Sequence, residues 1–204
     1  MCWFNIFTMT EISFGASFKK FATVKKLIDG KYTPLETSIV QIDYSDLKTI
    51  TKTARAWKRP FAAQVEQAVE MSQWCDNIDI FVLTKQADNF KELHPEDILG
   101  MVYFSRGNKE NNLSYLQVHP DVELKDYNFL KRINNVFCHI FGKQTSFDKT
   151  YKKIGTSLVR YLQETYNDKK MKLAAVGTSK RFYKKLGFKS ESFPFDYRMV
   201  WECK

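Results

Sequence analysis

Two periods alternate along the chain. Residues 36–43 are partly β-branched and alternate apolar with polar, which predicts a strand. From Ser45, Leu47, Ile50, Ala54 and Trp57 recur at helical spacing. Pro60 breaks that pattern, and Phe61, Val65, Ala68 and Val69 start a second helical face. Ile78 to Thr84 reads as a strand. Ile98 to Ser105 is nearly all apolar, as in a strand buried on both faces. Leu113 to Val118 is the next strand, ended by Pro120. Gly107-Asn108 and Asn111-Asn112 supply a turn between these two, so they form a hairpin.

Leu130, Ile133, Phe137, Ile140 and Phe141 then recur at helical spacing, followed by a polar loop over 142–149. A further helix runs from about Tyr151 to Tyr166, with Ile154, Leu158, Tyr161, Leu162 and Thr165 inward. Met171 to Val176 is a compact apolar strand. Ser179 to Leu186 is a short helix stopped by Gly187, and Tyr197, Met199, Trp201 and Cys203 alternate as a final strand. The order is strand, two helices, three strands, two helices, strand, helix, strand. That is an α/β pattern, with a mostly antiparallel first part.

Length makes this one large domain with an insertion at about 121–149: 204 residues, read as an N-terminal extension over 1–35 and a domain over 36–204. The 44% hydrophobic and 15% aromatic fractions exclude a disordered chain. No apolar run is long enough for a membrane-spanning helix, so no membrane partner is expected. Met1 to Phe7 lacks the basic stretch of a secretory signal. Residues 14–26 place Phe14, Phe18 and Phe21 among lysines without the arginines of an organelle-targeting helix. Cys2, Cys75, Cys138 and Cys203 are scattered, which fits a reduced, cytoplasmic setting. His94, His119 and His139 lack metal-ligand spacing, so no metal is expected.

A net charge of +9 favours anionic partners, either a phosphorylated cofactor or nucleic acid, although a merely soluble basic surface has the same composition. The charge is placed oddly in one region. Lys149, Lys152 and Lys153 crowd the start of the helix from Tyr151, with Thr150 as its cap. A helix start already carries a positive pole, so cations there are unfavourable unless an anion joins them. Gly155 would let a ligand approach the backbone. A pyrophosphate site and a lysine-rich surface helix are both consistent with these residues.

Two segments decide the direction. Ile154-Gly155-Thr156-Ser157-Leu158 resembles the acyl-CoA loop (R/Q-x-x-G-x-G/A) of the GCN5-related N-acetyltransferase family. Arg181-Phe182-Tyr183-Lys184-Lys185-Leu186-Gly187-Phe188 resembles the family's late F-Y-x-K-L-G-F segment. The resemblance covers roughly 36–203. It implies a mixed, mostly antiparallel central sheet flanked by helices, with a helical insertion between the fourth strand and the acyl-CoA loop. It also implies acetyl-CoA as acyl donor to a primary amine by direct attack in a ternary complex. The cofactor-binding positions it implies are Leu116, Gln117, Val118, Lys152, Lys153, Ile154, Gly155, Thr156 and Ser157. Tyr183 takes the family's place for the acid that assists the leaving thiolate, and backbone N–H groups around Leu116 to Val118 would serve the developing oxyanion.

Departures from the family pattern are clear. Thr150 stands for Arg or Gln, Lys153 for the first Gly and Val176 for a frequent Asn, and 121–149 is longer than the usual link. His119, Asp121 and Glu123 lie just past the fourth strand as candidate bases. The acceptor class stays open among a small molecule, a protein and an RNA-linked amine, and a homodimer through sheet edges stays open as well. Two alternatives stand beside the enzyme: an inactive acyl-CoA-binding module on the same fold, and a basic RNA-binding protein. The basic, aromatic stretches Lys19–Lys26 and Lys180–Lys189 match no helix-turn-helix or RNA-binding strand motif.

Overall fold

The computed structural model describes residues 16–57, 66, 77–86, 93–120, 150–176, 179–191 and 197–203. Among the described residues, nine strands form one sheet: β1 (Ser17–Ile28), β2 (Lys31–Gln41), β3 (Ile78–Thr84), β4 (Ile98–Ser105), β5 (Glu110–Val118), β6 (Tyr151–Lys152), β7 (Lys170–Ala174), β8 (Lys189–Ser190) and β9 (Arg198–Trp201). Their spatial order is β6-β1-β2-β3-β4-β5-β7-β9-β8. Every pairing is antiparallel except β5 with β7. Among the described residues, three α-helices accompany the sheet: α1 (Leu47–Ala56), α2 (Ile154–Thr165) and α3 (Lys180–Lys185).

Each face of the sheet carries its own core. On one side Leu47, Ile50, Ala54 and Trp57, the stripe read from the sequence, pack with Val40, Val82, Ile98 and Met101. On the other, Ile154, Leu158, Val159 and Leu162 of α2 pack against Phe81, Leu83, Leu99 and Val102. Full burial of each such aliphatic side chain contributes roughly 1.5–3 kcal/mol. α2 can sit this close because β4 offers Gly100, where a Cβ would lie 2.6 Å from Ile154 Cγ2. No described helix is long and apolar enough to cross a membrane.

Several boundaries differ from the sequence reading. Residues 17–35, expected in an extension, instead form β1 and the start of β2, which pair along their whole length. Residues 17–26 therefore lie in a strand and not in a targeting helix. Tyr151 and Lys152, expected in a helix, are β6 and pair with Lys26 and Lys25. The helix starts at Ile154 because Lys153 takes a left-handed backbone (φ 74°, ψ 3°) that ends the strand. Thr150 does not cap it; its carbonyl accepts the N–H of Leu27. The second helical face from Phe61, the helix around Leu130 to Phe141 and the 121–149 insertion lie outside the described residues, apart from Glu66.

Candidate functional site

A break in strand pairing creates the site. β5 and β7 pair over Glu110↔Lys170, Asn111↔Met171 and Asn112↔Lys172, and not beyond, although β5 continues to Val118. An extra residue at Ser114 shifts the β4–β5 register, Tyr103 facing Tyr115 and Phe104 facing Leu113. The bulge turns Leu113, Leu116 and Val118 all toward the α2 core. Beyond the parting of the strands opens a cleft of ≈ 370 Å³. Leu116, Val118, Lys152, Lys153, Ile154, Gly155, Thr156, Ser179, Phe182 and Tyr183 line it together with Tyr151.

The start of α2 faces this cleft with its polar groups unspent. Its first intrahelical bond is Ser157 N–H to the Lys153 carbonyl at 2.9 Å. The N–H groups of Ile154, Gly155 and Thr156 are thus the orphan donors of the helix, with no side-chain cap at Lys153 and no acidic residue in the first turn. Orphan N–H donors, the positive helix pole and two exposed lysines converge there, which suits an anion. Lys152 is oriented by a partner the sequence did not suggest: its Nζ sits 3.5 Å from the centroid of the Tyr32 ring on β2. Lys153 occupies the position where the family has its first glycine, and its positive φ is the conformation glycine favours. The backbone shape survives there without the usual residue.

Gly155 is tightly surrounded. A Cβ on it would lie 3.3 Å from Phe182 Cζ, 3.4 Å from Leu116 Cδ2 and 3.7 Å from Val118 Cγ1. Tyr183 enters from α3, buried between Phe182 and Phe188 at ring-centroid distances of 4.9 and 5.6 Å. Burial pushes its phenol up to about 12, so it holds its proton at neutral pH. α3 is fixed by Gly187, which takes φ 89° over the Trp201 ring, and by Gln163 of α2 donating to the Leu186 carbonyl at 2.9 Å.

Eight of the ten expected site residues therefore come together in one cleft. Two do not line it. Ser157 spends its N–H inside α2, and Gln117, alternating with Leu116 and Val118, points to the opposite face of the sheet. His119 lies half-buried beside that face, edge-on to Trp57 at 5.5 Å. Asp121, Glu123 and Lys149 lie outside the described residues. Tyr151, Ser179 and Phe182 also line the cleft, and the family resemblance implies no ligand-binding role for them.

Among solved structures, the chain is similar to the PaiA N-acetyltransferase of Thermoplasma acidophilum in complex with coenzyme A. The TM-score is 0.50 and the identity 17%, over 81% of this chain and 98% of that one. It is also similar to Tetrahymena GCN5 (TM-score 0.48, 10% identity, 90% of this chain and 96% of that one). The N-acetyltransferase PseH of Campylobacter jejuni gives a TM-score of 0.44 at 13% identity, over 84% and 100%. No protein-family model and no curated protein matches the sequence. The fold is thus similar to that of the PaiA N-acetyltransferase: a mixed, mostly antiparallel sheet opened between two parallel neighbours.

Proposed function

We propose that this chain is an N-acyltransferase that moves the acetyl group of acetyl-CoA to a primary amine. One observation carries the reading: the uncapped start of α2, with its free amides and lysines, opens into the same cleft as Tyr183. The residues fit such a donor. Ile154, Gly155 and Thr156 would hold the diphosphate through backbone N–H groups, with Lys152 and Lys153 adding charge. Leu116 and Val118 give the cleft an apolar wall for the uncharged arm, and their strand runs on past its β7 partner. The similarity to an acetyltransferase solved with coenzyme A supports the same reading at the level of fold.

Bound acetyl-CoA would supply an activated acyl carbon whose C–S bond breaks as the C–N bond to the amine forms. Tyr183 faces the cleft as a phenol. A coenzyme thiol has a pKa near 8.5, so transferring the phenol's proton to the departing sulfur would be uphill by roughly 3–4 pKa units, or about 5 kcal/mol. Tyr183 therefore keeps its proton and donates a hydrogen bond to the thiolate. The amine attacks as the neutral base, and the N–H proton its nitrogen sheds once the C–N bond has formed is the one that sulfur finally takes, directly or through solvent.

Acetyl-CoA titrated into a thermal-shift assay tests the reading. At a hundredfold excess over Kd the gain is about 2.7 kcal/mol, which for a chain of this size is about 5 °C or more. No shift at millimolar ligand overturns it. A shift with no loss of thioester across a panel of amines leaves an inactive acyl-CoA-binding module.

A further inference from the structure

On the face of β5 away from the cleft, Gln117 is 5% exposed, and neither its amide oxygen nor its amide nitrogen has a hydrogen-bond partner among the described residues. A buried primary amide left unpaired costs stability that an apolar side chain of the same size would not. Its neighbours give it no structural use. Its cross-strand partner is Met101 of the α1 core, and two residues on, His119 meets the edge of Trp57. An orphaned amide in such a setting points to a group that arrives from outside.

The place is suited to the second reactant. β5 and β7 part after Asn112 and Lys172, so at the level of Gln117 the two faces of the sheet meet across a gap. A donor held along Leu116 and Val118 leaves the Gln117 face to the acceptor. Resting on the transferase reading above, we infer that Gln117 orients the acceptor, and that the acceptor is a primary amine bearing a neighbouring carboxamide or peptide group beside an apolar flank. The Gln117 oxygen accepts from the acceptor's amide N–H, and its nitrogen donates to the acceptor's carbonyl. Met101, Trp57 and His119 form the apolar and aromatic side of the seat. Both amide atoms are closed to water in this state, so the acceptor enters as side chains on that face shift, and the hydrogen bonds it makes are dry ones.

The test compares phenylalaninamide with phenethylamine, which differ by the carboxamide, as acceptors for the wild type and for Gln117→Met. Thioester loss is read as kcat/KM, and the ratio between the two amines is compared between the two proteins, which cancels their different basicities. The ratio is expected to fall by about tenfold or more in the variant, through the KM of the carboxamide alone. The acetyl-CoA thermal shift should stay unchanged, and the Tm of the free variant should rise by a few degrees as the orphan amide is removed. An unchanged ratio overturns the inference. So does a fall in Tm, which would mean that the amide serves the fold, and so does acetyl-CoA binding without turnover of either amine. Absence of any acetyl-CoA shift in the wild type overturns the transferase reading itself, and this inference with it.

Discussion

A Cβ added at Gly155 would lie 3.3 Å from Phe182 Cζ, so the start of α2 and the start of α3 approach so closely that any side chain there must displace its neighbours. In Gly155→Ala the added methyl has to push Phe182 and Leu116 aside. Better helix propensity offsets the crowding, so stability should move by less than about 1 kcal/mol. The affinity for acetyl-CoA should fall by about tenfold, because the methyl narrows the approach to the orphan N–H groups. Isothermal titration and thermal unfolding separate the two effects.

Lys153 holds a left-handed backbone that costs a non-glycine residue roughly 1–2 kcal/mol. Lys153→Gly and Lys153→Ala both remove the cation, but only the first relieves the backbone. The glycine variant should be more stable than the alanine variant by about 1 kcal/mol in urea unfolding. Both should bind acetyl-CoA more weakly than the wild type, with a shallower dependence on salt.

Tyr183→Phe keeps the aromatic packing and removes the hydroxyl. A hydrogen bond to a developing thiolate is worth about 1.5–3 kcal/mol, so turnover should drop by about 10- to 100-fold with acetyl-CoA affinity unchanged. The raised phenol also has a stability signature. The unfolded chain ionises near 10 and the folded one at about 12. Stability from this group is thus fully present below pH 10 and lost as pH climbs from 10 to 12, by up to about 3 kcal/mol. The phenylalanine variant should show a flatter alkaline limb in pH-dependent unfolding.

At the far end of α2, Tyr166 donates a hydrogen bond of 3.0 Å to the buried Asp79, which also receives Gln41 at 2.8 Å and pairs with Arg106 at 2.8 Å. Beside this carboxylate, and buried itself, the Tyr166 phenol is pushed far above its ordinary range. Tyr166→Phe should cost about 1–2 kcal/mol. The network lies a helix length, about 18 Å, from the orphan amides, so acetyl-CoA affinity should not change. A calorimetric Tm with a binding titration checks both halves.

Which features could be read in advance follows from what each one depends on. The α1 stripe, β3 and β4 were legible because their burial repeats in period with the backbone. β1 was not: along its twelve residues only Val24 is fully buried, and Phe18 and Phe21 lie exposed, so a strand at this rim leaves almost no alternation. β6 and β8 are too short for any period. The start of α2 was misplaced because Tyr151, Lys152 and Lys153 suit a helix locally, and only the positive φ of Lys153 shows that they are outside it. Gly155 and Tyr183 were visible through their motifs. The isolation of Gln117 is a tertiary property that no residue pattern encodes. Asp79, a lone charge inside the apolar run Ile78 to Thr84, was a signal that could have led to the Tyr166 network.

β1 gives the outer rim of the sheet a second duty. Lys25 and Lys26 register with Lys152 and Tyr151, directly ahead of the anion-facing turn, and Leu27 holds the carbonyl of Thr150. A shortened protein that begins after Ile28 would therefore lose more than a ribbon of surface. It would bare the flank of β2 to edge-on association with other molecules. It would also remove the partner strand of β6 directly ahead of α2, so coenzyme capture and solubility should fail together.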